Sequence, residues 1–309
     1  MWFRCSCPGA AIAVLVTSFA AMSMSATNDG AQRWTIHAVL DWTQGRFASS
    51  DLPTARLDAE VLLAHVLQKP RIFLYTHFDL PLEALELEAY RVLVRRRLAG
   101  TAVAYLVGKK EFRSLELLVD ERVLIPRPDS ETLIDVALER VTTAPQLIVD
   151  VGTGSGAIAL ALKRQFGAAR VIAIDESSAA LAVAQQNSER LGLPIECRQG
   201  DLLGPINEPV ELIVSNPPYI PSADIAALPA EVRGEPQRAL DGGEDGLVVL
   251  RRLCAEAAAK LTAQGHLIVE CGAGQAARVA ALFAEHRFAD VQRKKDLGGI
   301  ERVVSGVLV

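Results

Sequence analysis

The sequence predicts an α/β protein with a doubly wound, Rossmann-like sheet and a small helical domain in front of it. After about residue 145, short runs of β-branched and other apolar residues alternate with longer helical segments, which is typical of parallel strands joined by crossover helices. Before about residue 100, apolar residues recur at helical spacing without strand-like alternation. The 309 residues are enough for two cores of ordinary size.

The composition excludes several classes of function. The net charge is −5, so no global basic field would attract nucleic acid. The five cysteines are scattered without a C-x-x-C pattern, and the five histidines form no ligand-spaced pair with them, so neither a disulfide framework nor a zinc site is predicted. No segment approaches the ~20 apolar residues of a membrane span. We therefore expect no metal, no membrane and no direct nucleic-acid partner.

Residues 1–30 form either a leader or a misassigned start. Arg4 precedes an apolar run at 10–16 that small residues follow, and this pattern resembles a short secretory signal. The alternative is that Met22 or Met24 is the true initiator. We favour the misassigned start, and with it a cytoplasmic location, because the chemistry inferred below uses cytosolic reagents.

Residues 31–103 are predicted to form the helical domain. Pro53 opens one helix, and a second helix follows Pro81 and ends near Gly100. Residues 104–120 are predicted to be a hairpin linker, with strands at 105–107 and 115–119.

A stiff extended segment is predicted next, because Pro126 and Pro128 fix the backbone on either side of Arg127. Asp129 or Ser130 can cap the helix that begins beyond it. Two interpretations stay open for Arg127 and Glu131: each lines the pocket, or each braces the linker. The sheet domain is predicted over residues 121–309. Its strands are predicted at 147–151, 171–174, 195–199, 212–215 and 266–270, its helices at 157–166, 178–191, 245–261 and 275–286, and an antiparallel edge pair at 288–309.

A glycine loop, Gly152-Thr153-Gly154-Ser155-Gly156, follows the first predicted strand and opens a helix. Such a loop could hold a dinucleotide, but Asp150 directly before it would repel a pyrophosphate and suits a cation. Asp150 could equally be a structural acceptor at the strand end. Asp175 ends the second strand as an acceptor for ribose hydroxyls, and Leu202 follows the third, where adenine contacts are usual. The pattern predicts an adenosyl ligand with an ammonium and a sulfonium group.

The segment Asn216-Pro217-Pro218-Tyr219 follows the fourth strand and can continue neither a helix nor a ladder. The rigid turn offers three acceptors, namely the Asn216 side-chain oxygen and the carbonyls of Asn216 and Pro217. Tyr219 can cover a flat face beside them. This arrangement suits a planar –NH₂ group.

Together these motifs resemble the S-adenosylmethionine-dependent amino-methyltransferases, and over roughly residues 34–305 the chain resembles the PrmC/HemK family of release-factor glutamine methyltransferases. The finer matches are Ala104-Tyr105-Leu106-Val107-Gly108 with Glu111-Phe112, Ile125-Pro126-Arg127-Pro128 with Ser130-Glu131, Glu235-Pro236 with Ala239-Leu240, Gly242-Gly243 with Asp245-Gly246-Leu247, and Asp296-Leu297-Gly298 with Glu301-Arg302.

The resemblance implies a class I S-adenosylmethionine-dependent methyltransferase whose helical domain helps to hold a class I peptide-chain release factor. The reaction would methylate the side-chain amide nitrogen of the glutamine in the Gly-Gly-Gln motif, supporting translation termination. We expect a monomer with no resident metal. The expected catalytic residues are Asn216, Pro217 and Tyr219, the substrate-binding residues are Asn216, Pro217, Pro218 and Tyr219, and the cofactor-binding residues are Gly152, Thr153, Gly154, Ser155, Gly156, Asp175, Leu202 and Asn216.

Three alternatives remain. A nucleic-acid amino-methyltransferase would present the same planar –NH₂ geometry, but the acidic balance and the lack of a basic, aromatic-rich target domain disfavour it. A non-catalytic cofactor-binding module would need no acceptor turn beside the methyl group. A nicotinamide dehydrogenase would be supported only by binding of that cofactor.

Overall fold

The structure, a computed structural model, describes residues 33–309, so the leader or misassigned start lies outside the described residues. The helical domain contains five helices whose apolar faces enclose one core. They are α1 (Ile36–Ala48), α2 (Ala55–Leu67), α3 (Arg71–Thr76), α4 (Ala84–Leu98) and α5 (Val103–Val107). Fully buried side chains such as Ile36, Phe47 and Leu62 fill this core, and burial of each contributes about 1.5–3 kcal/mol.

The strand predicted at 105–107 is wrong, because these residues belong to α5. Leu106 packs into the helical core, and the Tyr105 hydroxyl donates to the Val123 carbonyl at 2.5 Å. Gly108, with φ of +77°, ends the helix in the left-handed conformation that glycine adopts without strain. The hairpin follows as β1 (Lys109–Phe112) and β2 (Leu115–Leu118), which pair antiparallel.

The sheet domain contains seven strands in the order β5-β4-β3-β6-β7-β9-β8. The first five in this order run parallel, whereas β9 is antiparallel to both of its neighbours. The strands are β3 (Leu147–Val151), β4 (Arg170–Asp175), β5 (Glu196–Gln199), β6 (Val210–Ser215), β7 (Leu261–Glu270), β8 (Phe288–Lys295) and β9 (Glu301–Leu308). The predicted doubly wound sheet with an antiparallel edge pair is confirmed.

Helices cover both faces of the sheet, as buried parallel strands require. α6 and α7 pack on one face with the hairpin, and α10 and α11 pack on the other. These and the remaining helices are α6 (Glu131–Arg140), α7 (Ala157–Gln165), α8 (Ser178–Leu191), α9 (Ala230–Arg233), α10 (Val248–Lys260) and α11 (Ala276–Glu285). The chain winds from β3 outward to β5 and then crosses to β6, so a crevice opens at the carboxyl ends of β3 and β6.

A buried arginine joins the helical domain to the sheet domain. Arg97 of α4 is 3% exposed, and its Nε donates to Asp58 Oδ2 at 2.7 Å. Its Nη1 lies 2.7 Å from Oε2 of Glu231 in α9. Among residues 33–309, no helix is long and apolar enough to cross a membrane, and no group of three or more His, Cys, Asp or Glu side chains could hold a metal ion.

Candidate active site

A cavity of about 450 Å³ opens at the carboxyl ends of β3, β4 and β6. Its walls come from the strand ends, from the segment after β5 and from residues 221–240, which we call the wall segment. Among the predicted site residues, those that line it are Gly152, Gly154, Asp175, Leu202, Asn216, Pro217 and Pro218. The wall segment contributes Ser222, Pro236, Arg238 and Ala239.

The glycine loop and the Asn-Pro-Pro turn lie side by side. A Cβ at Gly152 would lie 3.9 Å from the Asn216 carbonyl oxygen, and the φ of +74° at Gly152 favours glycine. The other end of the loop faces away from the cavity: a Cβ at Gly156 would lie 3.2 Å from Ala184 of α8. Thr153 and Ser155 are buried. The cofactor roles predicted for Thr153, Ser155 and Gly156 therefore stay predictions without direct cavity contact.

Asp150 is a fully buried acceptor under the loop and does not line the cavity. Its Oδ2 accepts from Thr153 Oγ1 at 2.7 Å and from the Ala159 amide at 3.1 Å. These bonds support the interpretation of a structural strand-end acceptor. Burial raises the pKa of Asp150 to about 7, and the charge of Asp175 acts in the same direction.

The stability of the wild-type protein relative to an Asp150→Asn variant is expected to fall as the pH rises. The native state holds the Asp150 proton up to about pH 7, whereas an unfolded aspartate loses it near 3.8. Between these values the native state binds more protons, so this contribution to stability is present below the lower pKa and is lost through the upper one. Thermal unfolding of both proteins at pH 5 and pH 8 measures it. An unchanged difference in melting temperature would contradict it.

Asp175 holds the loop and still faces the cavity. Its Oδ2 accepts from the Gly154 amide and its Oδ1 from the Ser177 amide, each at 2.9 Å. A carboxylate has about four acceptor positions, so capacity for ligand hydroxyls remains. Leu202 supplies an apolar wall and is nearly buried.

The side-chain amide of Asn216 is oriented by Ser130. Asn216 Nδ2 donates to Ser130 Oγ at 3.0 Å, and no other residue of 33–309 makes a side-chain hydrogen bond with Asn216. The Asn216 oxygen therefore stays available as an acceptor, and its predicted role toward a substrate stays a prediction.

Tyr219 does not line the cavity but supports the turn from behind. Its hydroxyl donates to Glu270 Oε1 at 3.3 Å, and its carbonyl accepts from Gln275 Nε2 at 2.9 Å. Burial raises the pKa of this phenol, so the proton stays on it. The predicted catalytic role of Tyr219 stays a prediction.

Three residues around the turn were not predicted as site residues: Ser130, Glu270 and Gln275. Ser130 precedes α6, but its side chain makes no capping bond and contacts Asn216 instead, so the predicted side-chain cap is wrong for Ser130. The only feature of the sequence that could have indicated a site role for Ser130 was its place in a family motif.

Arg127 and Glu131 brace the linker and do not line the cavity. Arg127 pairs with the buried Glu235 of the wall segment, whose Oε2 also accepts from the Ile125 amide at 3.0 Å. Glu131 Oε1 accepts from the Arg113 amide at 3.1 Å, which ties α6 to the hairpin. Of the two interpretations left open for each residue, the structure favours bracing.

The sheet order and the loop-and-turn site define a class I methyltransferase. Solved structures support the fold: the hMettl16 catalytic domain in complex with MAT2A 3′UTR hairpin 6 aligns with a TM-score of 0.53 at 14% identity, over 70% of this chain and 82% of that chain. Residues 38–108 match the family PrmC N-terminal domain, and residues 129–294 match the methyltransferase small domain.

Sequence relatives specify the family. The release factor glutamine methyltransferase of Geobacter sulfurreducens is 44% identical over 275 residues, which cover 88% of this chain and 96% of the relative. The enzyme of the same name from Rhodopirellula baltica is 39% identical over 284 residues, covering 88% and 96%. This chain belongs to the release factor glutamine methyltransferase family.

The methyl donor of this enzyme is S-adenosylmethionine, and the cavity residues fit it. The volume is in the range of small-molecule sites. Asp175 offers carboxylate oxygens to hydroxyls, Leu202 offers an apolar surface to a flat ring, and Gly152 and Gly154 let the backbone approach closely.

Replacing Asp175 with alanine is expected to weaken S-adenosylmethionine binding by about 10–100-fold, because hydrogen bonds to a charged group contribute about 1.5–3 kcal/mol. Calorimetry measures the affinity. Unchanged affinity in the alanine variant would remove the ribose role.

Proposed function

We propose that this enzyme methylates the side-chain amide nitrogen of the glutamine in the Gly-Gly-Gln motif of class I peptide-chain release factors, and so supports translation termination in the cytoplasm. One observation carries the proposal: Asn216 lines the cavity beside the glycine loop, and its side-chain nitrogen is held by Ser130, which leaves the side-chain oxygen available as an acceptor. The names of the relatives give a release factor glutamine as their substrate.

The chemical difficulty lies in the nucleophile. The lone pair of an amide nitrogen is delocalised into its carbonyl, so the nitrogen attacks poorly. In the proposed complex, the Asn216 oxygen and the Pro217 carbonyl accept the two hydrogens of the substrate –NH₂ group. These two hydrogen bonds position the nitrogen for attack, and positioning can lower an activation barrier by about 7–11 kcal/mol. The same acceptors stabilise the positive charge that grows on nitrogen.

The reaction needs no strong base near the nitrogen. S-adenosylmethionine supplies an electrophilic methyl group with a thioether as its leaving group. The proton of the substrate nitrogen can depart after transfer. Tyr219, held by Glu270 and Gln275, stiffens the turn from behind and so helps to keep its acceptors in place.

The helical domain is proposed to dock the release factor. Apolar side chains are exposed on and after α3, namely Ile72, Tyr75, Phe78 and Leu80, and provide a surface for a protein partner. The enzyme is proposed to act as a monomer and without nucleic acid as a substrate.

Mass spectrometry of a release factor incubated with this protein and S-adenosylmethionine tests the proposal. A single added methyl on the Gly-Gly-Gln glutamine is expected. A release factor with alanine in place of that glutamine is the control and should gain none. Methylation of DNA or RNA in place of the release factor would overturn the proposal.

A further inference from the structure

The turn between β8 and β9, residues 296–300, projects from the same edge of the sheet as the candidate active site. β9 begins opposite the carboxyl end of β7, where Val303 pairs with Glu270. β7 runs parallel to β6, and β6 leads into Asn216. Because the carboxyl ends of parallel strands share one edge, the cofactor cavity, the Asn-Pro-Pro turn and the β8–β9 turn follow one another along that edge.

The β8–β9 turn is held in place by hydrogen bonds and an ion pair. The amide of Asp296 donates to the Ile300 carbonyl at 2.8 Å, and its Oδ1 accepts from the Ile300 amide at 2.9 Å. Its Oδ2 accepts from Arg302 Nε at 3.3 Å. Arg302 Nη2 lies 4.0 Å from Oδ2 of Asp129, the residue before Ser130. The β8–β9 turn is therefore fixed relative to the segment that orients the asparagine of the active site.

The side chains that this rigid turn presents to solvent are apolar. Leu297 is fully exposed, and Ile300 is 41% exposed. Leu297 also lines a groove of about 370 Å³ between the turn and α6, and the partly exposed Leu138 of α6 lines the same groove. An apolar side chain on a preorganised turn loses little conformational freedom on binding, so Leu297 is suited to anchor a partner.

The acidic side chains of the groove are already paired within the protein. Asp135 pairs with Arg113 at 2.6 Å, and Glu139 pairs with Lys294 at 2.9 Å. Among residues 33–309, Lys295 makes no ion pair, so its ammonium group remains free to donate to a backbone carbonyl or a carboxylate of a partner. An apolar anchor beside a free hydrogen-bond donor suits a segment of protein.

We propose that the β8–β9 turn is a second docking point for the release factor, with Leu297 as its apolar anchor. The proposal rests on the proposed function, because it takes the release factor as the substrate. A protein whose glutamine reaches Asn216 is far larger than the cavity, so it has to rest on the rim around it. On one side this rim leads through the wall segment to the helical domain, and beyond β7 it leads to the β8–β9 turn. Contact at both points fixes the orientation of the release factor.

Leu297→Asp and Val309→Asp form a matched pair of variants. Both residues are exposed and aliphatic, but Val309 follows β9 at the opposite edge of the sheet. In steady-state methylation, Leu297→Asp is expected to raise KM for the release factor about tenfold or more, as loss of an anchor residue does. The kcat and the KM for S-adenosylmethionine should stay within about twofold. Val309→Asp should leave all three values unchanged, and the uncharged Leu297→Ala should shift KM in the same direction as Leu297→Asp.

A photoreactive side chain measures the contact directly. With Leu297 replaced by p-benzoylphenylalanine, irradiation in the presence of a release factor should produce a cross-link to the domain that carries the Gly-Gly-Gln motif. Mass spectrometry of the adduct locates the attachment. The same replacement at Val309 should give no cross-link.

Either an unchanged KM in both Leu297 variants or the lack of a cross-link at position 297 would overturn the inference. A fall in kcat at unchanged KM would also overturn it, because the β8–β9 turn would then act on the geometry of the active site. A dimer of the enzyme alone that Leu297→Asp abolishes would assign the turn to a second copy of this chain instead. If the wild type methylates no release factor, the proposed function fails, whereas the cross-link still decides whether the turn contacts a release factor.

Discussion

Replacing Asn216 with alanine is expected to lower the rate of methyl transfer by about 10²–10³-fold, as removal of a single preorganised polar group in other active sites does. The alanine removes the acceptor that Ser130 orients, and it leaves Gly152 and Asp175 in place. Cofactor affinity should change much less. Single-turnover kinetics with saturating S-adenosylmethionine measure the rate, and calorimetry measures the affinity.

The control for this experiment is Asn207→Ala. Asn207 is exposed and lies before the amino end of β6, whereas Asn216 follows its carboxyl end. The control should react at the wild-type rate. A near wild-type single-turnover rate in Asn216→Ala would remove Asn216 from the catalytic residues.

Replacing Arg97 with methionine is expected to destabilise the protein by about 3–5 kcal/mol, because it leaves the carboxylate of Asp58 buried without its partner. Asp58 is 5% exposed and bonds to Arg97 Nε at 2.7 Å. Urea unfolding monitored by circular dichroism measures the loss. The neighbouring Arg96→Met is the matched control, because Arg96 is half exposed and lies 3.9 Å from Glu121.

The control should change stability by less than about 0.5 kcal/mol, as is usual for surface substitutions. Equal unfolding free energies for the Arg97 and Arg96 variants would mean that the buried pair contributes no more than the exposed one.

Most of the fold could be predicted because local pattern and global architecture agree. The strand at 147–151 and the helix at 178–191 have the predicted limits, since strand and helix periods are strong there. The segment 105–107 could not be assigned from periodicity. A short apolar run fits either a strand or a helix. This segment is helical because Leu106 packs into a core built from α1, α2 and α4.

The residues that line the cavity could also be predicted, because Gly152, Asp175 and Asn216 all lie at or directly after the carboxyl ends of strands that the fold brings together. The supporting residues could not. Ser130 is 86 positions from Asn216 in the chain, and Glu270 is 51 positions from Tyr219. Neither stands in a local pattern that specifies its partner, so only the folded chain reveals the contact.

The wall segment is fastened at two points to parts of the chain that precede the sheet. Glu231 pairs with Arg97 of the helical domain, and Glu235 pairs with Arg127 of the linker. The helical domain consequently cannot swing away from the catalytic half without breaking the first ion pair and loosening one side of the donor cavity. With the release factor docked on the helical domain as proposed, one movement of that domain would then both carry the protein substrate away and expose the reactive methyl group to solvent.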